Sequence, residues 1–132
     1  MSSDLLKNTL RGNAIFSVFC ALDLLLFSEA IAALIGLPDA RFLFSLGIAL
    51  IGFAAFVWWV SSQQPISPTL AQSIIWMDAA WVIGSVLLVL FKPEWLTVAG
   101  VVLIIAVAIA VELFAYFQYR GLKRVQTLAT AS

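Results

Sequence analysis

The sequence predicts an all-α membrane protein, an antiparallel up-down-up-down bundle of four transmembrane helices, and three observations predict it. Of the 132 residues, 64% are apolar and only 11% are charged, with a mean hydropathy of +1.10. A soluble domain carries about 25% charged residues, so this chain has too little polar surface to cover a water-soluble globule. The apolar residues also gather into four stretches long enough to span a hydrocarbon core of about 30 Å, which takes about 20 residues at about 1.5 Å each. Short breaks carrying Gly or Pro separate most of them, and no period-two alternation marks a membrane β-barrel.

The first span is predicted over 13–36 and stops at Gly36 and Pro38, a helix-ending pair. Lys7, Arg11 and "AIA" at 30–32 imitate a secretory signal. Asp23 interrupts the stretch, however, and it is longer than the roughly 7–15 apolar residues of such a signal, so it is expected to stay in the protein. The second span covers 40–62 and ends in "QQPISP" at 63–68, where proline cannot continue a helix. The third covers 69–91. A tight "KPE" at 92–94 leads into the fourth, 95–119, and "RGLKR" at 120–124 is expected to end it at the interface. Connections this short make sequential helices antiparallel neighbours within one domain.

Lysine and arginine in short loops are retained on the cytoplasmic side. Lys7, Arg11, Arg120, Lys123 and Arg124 share the side of both termini, against Arg41 and Lys92 on the other. Both termini are therefore predicted to be cytoplasmic, with the protein in a bacterial inner membrane. Seven acids balance seven bases, so no net charge recruits nucleic acid or anionic lipid. The chain has no histidine and a single cysteine, Cys20. That removes the histidine-based nucleophile systems and zinc motifs, so no enzyme activity, no metal and no cofactor are expected.

Four acids lie within the spans: Asp23, Glu29, Asp78 and Glu112. An acid at mid-membrane costs about 2.5–3.5 kcal/mol on insertion scales, so such residues are expected to face the bundle interior, either as neutral hydrogen-bonding groups that hold the helices together or as functional groups that bind a cation or an amine-bearing lipophile. Counted along the predicted spans, Asp23, Asp78 and Glu112 fall within roughly 6 Å of one another in depth, whereas Glu29 points elsewhere, toward Arg41. Helical spacing aligns Asp78 with Trp81 and Ser85, and Glu112 with Tyr116. Trp81 lies at mid-depth, where its N–H needs a partner. Trp58, Trp59 and Trp95 lie near span ends and are expected in the headgroup belt. Ser45, Ala49 and Gly52 form a small-residue stripe expected to pack within the bundle.

With these residues laid out, the chain resembles the small four-span integral membrane proteins of unknown function that are widespread in bacteria. The resemblance rests on "IGLP" at 35–38, the "D..WVIGS" pattern of 78–85 and "FQYRGLKR" at 117–124. It implies the architecture and no particular chemistry. The size and the acids are also similar to those of small multidrug transporters, but the glutamate pattern of their first span is not reproduced.

Two functions follow as expectations. In one, the bundle binds or transports a lipophilic ligand, neutral or cationic, between its helices through Asp78, Trp81, Asp23, Glu112, Ser85 and Tyr116. In the other, it is a non-catalytic accessory or scaffold subunit. The expected partners are the lipid bilayer, a lipophilic small molecule, and a homodimer mate or a larger membrane complex.

Overall fold

The computed structural model describes residues 2–91 and 93–131, with side chains for 4–91 and 93–127. Lys92, one of the two basic residues expected on the outer side, lies outside the described residues. The described residues are almost entirely helical: α1 (Ser2–Leu26), α2 (Ser28–Ile35), α3 (Arg41–Ser61), α4 (Pro68–Phe91), a short 3₁₀ turn (Pro93–Trp95) and α5 (Val98–Ala131). Four of them, α1, α3, α4 and α5, are long and apolar enough to cross a membrane. Their outer faces carry Phe19, Trp76, Leu90 and Val98 in exposed positions. Such a surface is at home in lipid, and the four helices fit a multi-pass membrane protein.

Three boundaries differ from those predicted. The first span divides at Phe27, whose backbone (φ −125°, ψ 29°) leaves the helical region, so α2 forms a separate helix that packs on α1, α3 and α5. Neither Gly nor Pro marks this break. The helices containing the first and fourth spans also run well past the apolar stretches. α1 begins at Ser2, and α5 continues through "RGLKR" to Ala131. Their polar ends hold because they pack on each other: Leu6, Leu10 and Leu122 are buried together, and a Cβ on Gly121 would lie 2.8 Å from the Leu6 backbone.

The connections are fixed by caps. Ser67 Oγ accepts the Leu70 N–H at 3.3 Å, and Pro68 opens α4, a position where proline's missing N–H costs nothing. Thr97 caps α5 by accepting the Gly100 N–H at 2.9 Å. It also latches α5 to the end of α2, donating its N–H to Ile35 O at 2.8 Å and its hydroxyl to Leu34 O. Gly36 closes α2 at φ 106°, a left-handed conformation natural to glycine. Gly100 lets the two ends meet, since a Cβ there would sit 2.5 Å from Ile35 O. Before α3, Asp39 accepts the Arg41 N–H at 2.9 Å and pairs with its guanidinium at 3.1 Å. Arg41 thus pairs with Asp39 and not with Glu29, the partner the sequence predicts.

Packing is uneven. α1 lies along both α3 and α5, and α5 lies along α4, but the consecutive helices α3 and α4 scarcely touch. The buried apolar residues form two clusters. One joins Leu6, Leu10, Val57, Val60, Ile74 and Leu122, near the loop that carries Ile66. The other joins Ala32, Ile35 and Leu43 at the opposite end. The Ser45, Ala49 and Gly52 stripe is exposed and does not pack as expected. α3 instead buries Leu43, Gly47, Ala54 and Val57, with Gly47 set against Leu24 and Leu25.

Candidate functional site

Between the two apolar clusters lies a polar one. Asp78 of α4 is 4% exposed, Asn13 of α1 is 1% exposed and Gln118 of α5 is fully buried. Asn13 Nδ2 donates to Asp78 Oδ2 at 2.9 Å, and Gln118 Nε2 donates to the same oxygen at 2.8 Å. Asn13 Nδ2 also donates to Gln118 Oε1 at 2.8 Å, and Ser17 Oγ reaches Asn13 Oδ1 at 3.5 Å. Three helices thus meet at one carboxyl oxygen. In an interior with little water, an unmet polar group is expensive and a fully bonded network fixes the register of the helices that form it.

The sequence reading missed Asn13, Ser17 and Gln118. Asn13 and Gln118 lie at the ends of the predicted spans, because the apolar stretches stop well short of the helix ends. The Asn13–Ser17 pair, one turn apart, was the available signal.

The same register corrects the expected gathering of acids. Asp78 sits level with Asn13 and Gln118. Asp23, ten residues along α1 from Asn13, is about 15 Å further on, and Glu112, six residues from Gln118, is about 9 Å away. Both are exposed, as is Glu29, so of the four acids only Asp78 is buried. Tyr116 leaves the site as well: it is 48% exposed, and its hydroxyl accepts a hydrogen bond from Arg120 Nη1 at 3.0 Å. Two residues from Gln118, it lies about 200° around the helix.

One cavity borders the cluster, and a second adjoins the first. The smaller, 260 Å³, is bordered by Asn13, Ser17, Cys20, Asp78 and Trp81. The larger, 520 Å³, fills the gap left where α3 and α4 part, with Leu46 and Leu50 on one side and Trp81, Gly84, Ser85 and Leu88 on the other. Asp23 stands on the wall of this second cleft. Glu112 lines a different groove, between α4 and α5. Trp81 and Cys20 belong to both of the first two cavities.

The indole of Trp81 carries the unsatisfied group. Its Nε1 is buried and has no hydrogen-bond partner among the described residues, although a buried indole N–H ordinarily finds one. Asp78 does not serve, since both bonds to it come from amides. Ser85, one turn on, turns its hydroxyl back to Trp81 O at 2.9 Å. An unmet buried donor costs about 1–3 kcal/mol, and here it borders open space.

No protein-family model, curated protein or solved structure matches the chain. The chemistry of the site therefore rests on its own groups: the Asp78 carboxyl, the Asn13 carboxamide, hydroxyls, a thiol and an indole N–H along two otherwise apolar cavities, with the Gln118 carboxamide behind Asp78. Among the described residues, no three metal-ligating side chains gather in one place. What the arrangement can do is hold a mostly apolar molecule, accept a hydrogen bond or positive charge at Asp78, and donate one from Trp81.

Proposed function

We propose that this chain is a non-enzymatic, multi-pass inner-membrane protein that binds a lipophilic ligand, neutral or cationic, in the cleft between α3 and α4. The single observation that carries the reading is the partnerless Trp81 N–H on the wall shared by the two cavities. A ligand with a carbonyl or ether oxygen would satisfy it, and an amine-bearing one that reaches into the smaller cavity would in addition meet Asp78. The cleft falls within the roughly 300–1,000 Å³ usual for small-molecule sites. The up-down-up-down topology, with both termini cytoplasmic, is supported by the burial of Leu6, Ile66 and Leu122 in one cluster and by the basic residues near both termini.

Rhodamine 6G, a lipophilic cation with an ester carbonyl, tests the reading in liposomes containing the purified protein. Saturable binding by fluorescence anisotropy is expected, weakened about tenfold in Asp78→Asn and several-fold in Trp81→Phe. Absence of saturable binding, or equal affinity in both variants, rejects the reading.

A second reading, that of an accessory subunit, is favoured by Glu29 and Glu112, which are exposed on apolar helices. Lipid is a poor neighbour for such groups, and a partner would cover them. Mild-detergent purification from native membranes should then recover a stoichiometric larger partner. A lone monomer or homodimer would count against it.

A further inference from the structure

On the opposite side of α1 from the polar cluster, a groove of 670 Å³ runs along the seam between α1 and α3. Ile15, Val18 and Phe19 form one wall, Ile51 and Trp58 the other, and the small side chains of Ala14 and Ala54 leave the floor low. One end of the groove carries charge. Arg11 is one turn before Ala14 and Ile15 on α1, and its guanidinium carbon lies 4.8 Å from the centre of the Trp58 ring. Its Nε approaches Ser61 Oγ at 3.4 Å. Among the described residues Arg11 meets a hydroxyl and a ring but no carboxylate. Lys7, one further turn out, falls on the same helical stripe as Arg11, Ala14 and Val18.

We infer that this groove is a binding site for a glycerophospholipid with a net negative headgroup, its phosphate on Arg11 and one acyl chain between α1 and α3. Charge complementarity selects the occupant. A guanidinium has five donors in a planar fork matched to phosphate oxygens, and Arg11 engages one of them on its own chain. Stacking on Trp58 holds the fork at the mouth of an apolar channel. The indoles of Trp58 and Trp59 mark the depth at which a headgroup sits. An acyl chain needs no polar partner, and the groove below Arg11 offers almost none: Ser62 is the one hydroxyl residue on its lining. This site shares no lining residue with the α3–α4 cleft, so its test is independent of the ligand proposed there.

The test measures tryptophan quenching by dibromo-acyl lipids in phosphatidylcholine vesicles containing the purified protein. The brominated lipid is either phosphatidylglycerol or phosphatidylcholine. Trp58→Phe and Trp59→Phe variants identify the signal from the groove. The wild type should prefer phosphatidylglycerol by about fivefold or more, since one basic residue near the surface contributes about that factor. Arg11→Gln should bring the preference toward unity, Arg11→Lys should keep part of it, and Lys123→Gln should leave it unchanged. If Arg11→Gln does not fold, the wild type alone decides, because the preference should collapse at about 1 M salt, where charges are screened within about 3 Å. Equal quenching by the two lipids, or a salt-independent preference, overturns the inference. So does a change in self-association on Arg11→Gln with lipid selectivity intact, which would give this face to a protein neighbour.

Discussion

Asp78 and Glu112 are both carboxylic acids on long apolar helices, yet the fold treats them differently. Asp78 is enclosed and takes hydrogen bonds from two helices, whereas Glu112 is exposed on a groove lined mainly by Val, Leu and Ile. Membership of a span does not decide the role of an acid. What decides it is whether neighbouring helices bring donors to its level, as Asn13 and Gln118 do for Asp78.

That contrast is broken most strongly by removing the donors. Asn13→Leu or Gln118→Leu leaves a buried carboxyl with half its partners and should destabilise the protein by about 2–3 kcal/mol. Thermal unfolding in detergent, followed by near-UV circular dichroism, reads the loss. Glu112→Gln in the same assay should shift stability by no more than about 0.5 kcal/mol. A comparable effect of all three would erase the distinction between the two acids. Gly100→Val probes the opposite end of the bundle, where a side chain would collide with Ile35 O. It should cost up to about 3 kcal/mol by overpacking and loosen α2 from α5, which hydrogen exchange at residues 34–37 would report.

Trp81→Phe sharpens the comparison from the other side. The indole N–H has no partner to lose, so the variant should match or slightly exceed the wild type in stability while binding rhodamine 6G more weakly. A stability loss above about 1 kcal/mol would indicate a partner for the N–H within the protein. The smallest effect belongs to Asp39. Its carboxyl is held below its ordinary value first by the Arg41 backbone N–H and then by the Arg41 side chain. A lowered folded value means that its contribution is present above the ordinary carboxylate range and is lost as pH falls through the lower folded value. Asp39→Asn should therefore slightly flatten the acid limb of stability against pH. An unchanged limb would remove Asp39 from the account.

Much of this architecture was legible because composition and length act within a single segment. Four apolar stretches of spanning length had to become helices, and the alignment of Asp78, Trp81 and Ser85 follows from the periodicity of one helix. The polar cluster was not legible, because it depends on the register between helices. Asn13 and Gln118 belong to Asp78 only once α1 and α5 extend beyond their apolar stretches and pack on each other through Leu6 and Gly121. Phe27 carries no local signal for its break, and the parting of α3 from α4 is a tertiary outcome that the short connection "QQPISP" does not announce.

The central claim is that Trp81 faces a cleft able to take a lipophilic guest. A variant with Trp81 as the sole tryptophan, with Phe at positions 58, 59, 76 and 95, tests it most directly in liposomes. Rhodamine 6G should quench its emission saturably, with Asp78→Asn shifting the midpoint to about tenfold higher concentration. Quenching that rises linearly with dye in the membrane and ignores Asp78 would contradict the account.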